Sequence, residues 1–170
     1  AVRERFDFFA GVSTGAMIAA YLARNVGSME RLAQESYSAD NLSRIMDKTV
    51  WDKMLGRMQN QPKYDGVNKR EYVDALLGGT RINDIQDKHL LILAYDFINR
   101  ELVTFKNQRG HDAAYTPTLN EVCDAATAAP TMYPTVATSS LTRRWLVDGA
   151  LTTNDPSICA ITESLAMGYA

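Results

Sequence analysis

The sequence predicts an α/β fold, and three observations support this class. Residues 6–10 form a short aromatic-rich apolar run, typical of a strand buried on both faces, and they lead through a glycine-containing turn into an alanine-rich helix. Two strand-like segments follow near the middle of the chain. A further buried-type strand, 145–147, precedes the last helical pattern. Strands that alternate with helices are the organisation of α/β domains, and 170 residues suffice for one such domain, which we expect to span residues 1–170.

The first half of the chain is predicted to be mostly helical after its opening strand. Residues 16–24 form the first helix, with Asn25 and Gly27 available to end it. Ser28 can cap a second helix that reaches about Tyr37. A third helical pattern is formed by residues that recur every four positions, with Trp51 alongside: Met46, Val50, Met54 and Met58. This spacing favours core packing, although such a stripe could also line an acyl-chain wall or touch a membrane.

The middle of the chain combines a helix with a hairpin. Asn68 and Glu71 resemble a capping box, which predicts a helix from that point to the glycines at 78–79. Residues 90–96 and 102–106 are strand-like and are separated by a turn, so we expect a β-hairpin.

A capping box also marks the helix that follows. Thr118 and Glu121 have the required spacing, and Pro130 predicts that the helix ends at Ala129. Residues 125–129 have almost no side-chain bulk, so another element must pack closely against them.

The last helix is predicted from its two ends. Asn154 or Asp155 can cap it, Pro156 suits its first turn, and Gly168 follows its end.

The composition excludes several classes of protein. Hydrophobic residues make up 46% of the chain and charged residues 22%, as in ordinary globular proteins, and the net charge of −2 argues against a nucleic-acid partner. Two cysteines, Cys123 and Cys159, are too few for a disulfide scaffold and are interpreted as reduced thiols in buried helices. No apolar run approaches the length of a membrane span, and we expect a cytoplasmic or peripheral membrane location.

The candidate nucleophile is Ser13, within Gly11-Val12-Ser13-Thr14-Gly15. This G-x-S-x-G string lies between a buried-type strand and a helix, which is the context of a nucleophile elbow. The flanking Gly11 and Gly15 let two backbones approach closely, and the backbone of Thr14 at the helix N-terminus could stabilise an oxyanion. The alternative is a glycine-rich turn in which Ser13 only caps the helix.

The candidate base is Asp148, at the end of the strand 145–147 and followed by Gly149. Active sites of open α/β sheets gather at the carboxyl ends of strands, where we also expect Ser13. The alternative is an Asx-turn that caps the loop after the strand. A second Asp-Gly pair, Asp65-Gly66, follows polar residues and is interpreted as an ordinary turn.

The two histidines suit a catalytic triad less well. A triad of the α/β-hydrolase order would place a histidine after the acid, and none follows Asp148. Chain order alone allows Ser13, Asp96 and His111, but Asp96 lies in the predicted hairpin and His111 in a polar loop. We interpret His89 and His111 as solvated residues.

These motifs together resemble the patatin-like phospholipases. The resemblance rests on the G-x-S-x-G elbow, the late Asp148-Gly149-Ala150 and the absence of a suitable histidine. Three further segments match the family: Pro62-Lys63-Tyr64-Asp65-Gly66, Thr127-Ala128-Ala129-Pro130-Thr131 and Tyr133-Pro134. It implies a three-layer α/β/α fold with a mostly parallel central sheet. It also implies a Ser13–Asp148 dyad that hydrolyses fatty acyl esters through an acyl-enzyme, with no metal and no cofactor.

One part of the family pattern is not found in these residues. The family carries an oxyanion loop of the form G-G-G-x-[RK]-G before the elbow strand, and only ten residues precede Gly11 here. We therefore expect that the sequence is truncated at its N-terminus and that residues 1–170 alone lack the main oxyanion donors.

Three functions remain open from the sequence. The first is a lipid acyl hydrolase whose partners are phospholipids or other lipids, with peripheral membrane contact. The second is a Ser-His-Asp esterase that uses His111. The third is a non-catalytic lipid-binding or assembly domain with the same fold.

Overall fold

The computed structural model describes residues 2–25, 27–46, 62–107, 116–138 and 143–169. Seven α-helices and five strands are present in these ranges: α1 (Val2–Arg5), β1 (Phe8–Val12), α2 (Thr14–Arg24), α3 (Met29–Arg31), α4 (Ala39–Ile45), α5 (Val67–Leu77), β2 (His89–Asp96), β3 (Glu101–Lys106), α6 (Leu119–Ala126), β4 (Val136–Ala137), β5 (Trp145–Asp148) and α7 (Ser157–Ala166). A π-helical turn, Leu32–Ser36, extends α3, and short 3-10 turns cover Ile82–Asp84 and Gly149–Leu151.

The central sheet has β2 in its interior. β1 pairs with β2 in parallel, whereas β3 and β5 pair with β2 antiparallel and β4 pairs with β5 antiparallel. The α/β class is confirmed, but the expectation of a mostly parallel sheet is wrong for the described strands. Two of the three antiparallel pairs follow from short connections. β2 and β3 form a hairpin, and the link 138–144 between β4 and β5 is too short for the crossover that parallel strands require.

Helices cover both faces of the sheet. Alternate residues of β1 and β2, including Phe9 and Ile92, face α2, α5 and α6 in the largest apolar cluster. Val12 and Leu93 face the other way, toward Cys159 of α7. The sheet therefore forms the middle of three layers, as the resemblance implies.

The opening of the chain differs from its prediction. Residues 2–5 are helical, and β1 begins at Phe8 and runs to Val12, so the strand lies two residues later than expected. Phe6 is exposed, because the strand does not yet include it. The shift matters for the site, since Gly11 and Val12 belong to the strand and Ser13 follows it directly.

Helix α5 begins differently from its prediction. Its first residue is Val67, and the Asp65 carboxylate accepts a hydrogen bond from the Val67 N–H (2.9 Å). Asn68 lies inside the first turn and donates to the Arg44 carbonyl instead of capping. The predicted end at Gly78 is confirmed.

Helix α6 ends three residues before its predicted end. Its capping box of Thr118 and Glu121 is confirmed, but the helix stops at Ala126. Residues before a proline avoid helical geometry, and the Thr127 hydroxyl donates back to the Cys123 carbonyl (2.7 Å). The small residues at its end pack against β2 and β5, as their lack of bulk predicts.

The remaining predictions concern the hairpin, the start of α7, the cysteines and the methionine stripe. The hairpin is confirmed. At the start of α7 Asp155 accepts a hydrogen bond from the Ser157 N–H (2.9 Å), but Pro156, rather than Asn154 or Asp155, occupies the N-cap position. The prediction of two free thiols is confirmed, and Cys123 is buried as expected, but the expectation that Cys159 is buried is wrong, because it is half-buried. Met46 ends α4 as an exposed residue, and the rest of the predicted stripe lies outside the described residues.

Candidate active site

Ser13 lies at a strained turn between β1 and α2. Its backbone adopts φ 54° and ψ −132°, a combination that residues with a side chain rarely adopt. Strain of this kind persists only where the surrounding structure enforces it, and it is concentrated at functional sites. Ser13 is at the N-cap position of α2, but its side chain makes no capping hydrogen bond, so its hydroxyl is available for another partner.

Gly11 makes the sharp turn possible. A Cβ added to Gly11 would meet the Gly15 carbonyl, lying 2.5 Å from its carbon, and would be 2.7 Å from the Ala16 Cα. A side chain therefore cannot fit between the end of β1 and the first turn of α2. Gly15 has no such restriction, since a Cβ there would meet no atom within 4 Å.

Asp148 lies beside Ser13 at the end of a strand, β5, that runs in the opposite direction to β1. β5 runs antiparallel to β2 and ends at Asp148, which pairs with Ala94, while Val12 at the end of β1 pairs with Leu93. Ser13 and Asp148 therefore lie on either side of β2 at the level of Ala94. Each residue lies at the carboxyl end of its own strand, as expected, although the two strands run in opposite directions.

The two side chains are hydrogen-bonded to each other. The Ser13 hydroxyl donates to Oδ2 of Asp148 over 2.6 Å, a distance typical of a hydroxyl that donates to a charged carboxylate. Asp148 is only 4% exposed, so the bond is largely shielded from water.

Backbone contacts hold the Asp148 carboxylate in place. Its Oδ1 accepts from the Ala150 N–H (2.9 Å), and its own N–H donates to the Ala128 carbonyl (3.0 Å). The Asx-turn that the sequence left as an alternative is thus present, and it occupies one oxygen while the other faces Ser13. Gly149 permits this turn, because a Cβ there would lie 2.6 Å from the Leu93 carbonyl oxygen.

The N-terminus of α2 lies beside the serine. Thr14 is the first residue of this helix, whose first backbone N–H groups have no partner inside the helix. They carry a partial positive charge that would favour a developing oxyanion. The Tyr37 hydroxyl donates to the Thr14 carbonyl (3.2 Å), linking the segment after α3 to this turn.

The other candidate residues lie elsewhere. His89 pairs with Phe8 at the start of β2, five residues before Ala94 and so roughly 16 Å away along the strand. It contacts the Tyr169 hydroxyl (3.1 Å) rather than Ser13. Asp96 accepts hydrogen bonds from the N–H groups of Ile98 and Asn99 within its own hairpin. His111 lies outside the described residues.

Sequence reasoning missed a buried ion pair behind the site. Lys69 and Asp124 are 2.7 Å apart, and both are buried. Lys69 could have been noticed as a charged residue on the apolar side of α5, between Gly66 and Val73. Asp124 sits within the apolar run of α6, where a charge needs a partner.

Two further properties concern only the part of the chain that the structure describes. No cluster of three or more metal-binding side chains occurs there. Within the same residues, none of the helices has both the length and the apolar character needed to cross a bilayer.

Comparisons with known proteins agree on one family. A family model described as "Patatin-like phospholipase" matches residues 1–158. The chain is 28% identical to Patatin-like protein 2 of Oryza sativa subsp. indica over 179 residues, covering 95% of this chain and 44% of that protein. It is 24% identical to Patatin-like protein 3 of Arabidopsis thaliana, covering 94% of this chain and 42% of the relative.

Among solved structures, VipD from Legionella pneumophila aligns with a TM-score of 0.45 at 13% identity, covering 88% of this chain and 41% of that one. The chain spans less than half the length of the curated relatives that it matches.

Proposed function

We propose that this chain, which belongs to the patatin-like phospholipase family, forms the catalytic domain of a serine lipid acyl hydrolase. Its substrates would be fatty acyl esters of phospholipids or glycerolipids. The observation that carries the proposal is the 2.6 Å hydrogen bond from the Ser13 hydroxyl to the Asp148 carboxylate at a strained strand-to-helix turn. No histidine among the described residues lies beside Ser13.

In the proposed reaction Ser13 is the nucleophile and Asp148 is the general base. Asp148 Oδ2 takes the hydroxyl proton as Ser13 Oγ attacks the ester carbonyl. Collapse of the tetrahedral intermediate breaks the ester C–O bond, and the protonated Asp148 returns the proton to the leaving alcohol. Asp148 then takes a proton from the water that attacks the acyl-serine. Collapse of this second tetrahedral intermediate breaks the bond to Ser13 Oγ, which regains a proton from Asp148 as the fatty acid leaves.

The oxyanion needs hydrogen-bond donors. Within these residues the backbone N–H of Thr14 at the start of α2 is the donor that we assign. The family resemblance adds a glycine-rich loop before the elbow strand as the main source of donors. An aspartate is a weaker base than the histidine of a triad, so catalysis depends strongly on these groups.

The hairpin tip between β2 and β3 is our candidate for peripheral membrane contact. Phe97 and Ile98 are 57% and 64% exposed there, about 10 Å along the strand beyond Ala94. The Phe97 N–H donates to the carbonyl of Trp145. Trp145 is 39% exposed, and its ring centre lies 5.0 Å from the Arg143 guanidinium. Apolar, tryptophan and arginine side chains together suit the boundary between water and an anionic lipid surface.

The proposal is tested by fatty acid release from phospholipid vesicles, with EDTA present and absent. We expect release in both conditions by the wild-type protein that carries the glycine-rich loop, and none by its Ser13→Ala variant. A protein that binds vesicles but releases no fatty acid would instead be the non-catalytic lipid-binding domain. Release that disappears with EDTA would contradict the metal-free mechanism.

A further inference from the structure

Lys69 is a charged residue in an unusual position. It lies on α5 with only 4% of its surface exposed, and its Nζ is 2.7 Å from Oδ1 of Asp124. The same amino group donates to the Asp124 carbonyl (2.8 Å) and to the Thr127 hydroxyl (3.3 Å). It also lies 4.8 Å from the centre of the Tyr133 ring.

A buried ion pair of this kind is rarely explained by stability. Removing two charges from water costs about as much as their attraction returns, and apolar replacements of similar volume are often equally stable. The pair therefore calls for a role that apolar side chains could not fill.

The residues that Lys69 contacts lie next to the residue that is hydrogen-bonded to the proposed base, Asp148. They fix Asp124 in the last turn of α6 and Thr127 immediately after it. The next residue, Ala128, supplies the carbonyl that accepts the Asp148 N–H (3.0 Å). One peptide unit thus separates the Lys69 contacts from the group that holds Asp148.

The segment after Ala128 is hydrogen-bonded to the residues that precede α5. The N–H groups of Lys63 and Tyr64 donate to the carbonyls of Thr131 (2.9 Å) and Met132 (2.8 Å), and the rings of Tyr64 and Tyr133 lie 5.5 Å apart. Lys69, one turn into α5, is therefore held in a fixed relation to the segment that carries Ala128.

We propose that Lys69 and Asp124 form a positioning pair for Asp148, which fixes the Ala128 carbonyl and balances the charge behind the base. The proposal rests on the function proposed above. The Asp124 carboxylate neutralises the Lys69 ammonium, so the pair holds the segment that carries the Ala128 carbonyl without leaving a net charge behind Asp148.

The surrounding charges agree with this arrangement. Burial lowers the pKa of Lys69, while the carboxylates of Asp124 and Asp148 favour its charged form and Arg70 opposes it. The other titratable neighbours are uncharged at neutral pH: burial raises the pKa of the Cys123 thiol on α6 and of the Tyr133 hydroxyl.

The test uses two single variants with opposite electrostatic effects. Lys69→Met leaves the Asp124 carboxylate uncompensated, so the acidic limb of the pH profile of kcat/KM should move to higher pH by about half a unit to one unit. Asp124→Asn leaves the Lys69 cation uncompensated, so the limb should move by a similar amount to lower pH. Lys69→Arg keeps the charge and should leave the limb near its wild-type position.

A merely structural pair would lower stability and kcat in both single variants without opposite displacements, and that result would overturn the proposal. If a single variant does not fold, the double variant Lys69→Met/Asp124→Leu replaces it. With both charges removed, the double variant should fold, keep the limb near wild type and lose at least about tenfold in kcat. An unchanged kcat in the double variant would overturn the proposal, while a wild-type protein without Ser13-dependent hydrolysis would overturn the proposed function as well.

Discussion

Gly11 and Gly15 lie so close together that the backbone of one occupies the space a side chain of the other would need. A Cβ on Gly11 would meet the Gly15 carbonyl, whereas a Cβ on Gly15 would point into open space. The two glycines of the G-x-S-x-G string therefore have different physical roles. Gly11 is required because it has no side chain at the point where β1 and α2 meet, and the Gly15 carbonyl is the group that occupies this space.

This difference predicts opposite effects of two matched substitutions. Gly11→Ala should lower the free energy of unfolding by about 1–3 kcal/mol and displace the Ser13 turn, because backbone atoms cannot yield as a flexible side chain can. Gly15→Ala should leave stability unchanged or raise it by about 0.5–1 kcal/mol, since alanine favours the helix that Gly15 occupies. Urea unfolding of both variants measures the difference, and equal losses would contradict the described turn.

Substitutions distinguish the proposed role of Asp148 as the base from that of either histidine. Asp148→Asn should lower kcat by about 10³-fold or more, because an amide cannot take the Ser13 proton. His89→Ala and His111→Ala should stay within several-fold of wild type; His89 lies at the far end of β2 from Ser13. Steady-state kinetics on a p-nitrophenyl ester makes the comparison. A loss of about 10³-fold in His111→Ala would favour the Ser-His-Asp esterase.

Asp96 should affect stability rather than catalysis. Burial raises the pKa of this carboxyl, but hydrogen bonds from Asn99 and Ile98, together with Arg144, lower it by more, so the net pKa is below its ordinary value. Its stabilising contribution is therefore present above the unfolded-state pKa of about 3.9 and is lost as the pH falls through the lower folded-state value.

Asp96→Asn tests this sign. At pH 7 the variant should be about 1–3 kcal/mol less stable than wild type. In the wild-type protein the Asn99 side-chain amide donates to Oδ2 of Asp96, and in the variant an amide N–H group at that position would face this donor and leave it without an acceptor. The gap should narrow below about pH 4 in thermal unfolding, while ester hydrolysis at pH 7 should stay within several-fold. A gap independent of pH would contradict the charged state of Asp96.

The hairpin tip predicts a specific pattern of vesicle binding. The double variant Phe97→Ser/Ile98→Ser should bind anionic vesicles at least about tenfold more weakly, because each side chain contributes on the order of 1.5 kcal/mol when transferred to an apolar phase. Ile158→Ser on α7 is the control, since Ile158 is 78% exposed but lies next to Cys159, which packs against Val12 and Leu93 rather than at the hairpin tip. Sedimentation with vesicles measures binding. Equal losses in both variants would point to nonspecific apolar association.

The sequence predicted the local units better than their directions. The strand before Ser13, the strand before Asp148 and the capping box of Thr118 depend on neighbouring residues, so local patterns suffice to recognise them. The antiparallel direction of β5 depends on how distant segments connect, which periodicity does not encode. The partnership of Lys69 with Asp124 joins residues 55 positions apart and becomes visible only once α5 and α6 are packed together.

The most direct test of the account is covalent labelling of Ser13 by a fluorophosphonate probe, with the modified residue identified by tandem mass spectrometry. The elbow geometry and the hydrogen bond to Asp148 predict a single labelled serine, Ser13, with labelling abolished in Ser13→Ala and at least about 10³-fold slower in Asp148→Asn. Labelling that persists in Ser13→Ala, or that is unaffected by Asp148→Asn, would contradict the assignment of this pair as nucleophile and base.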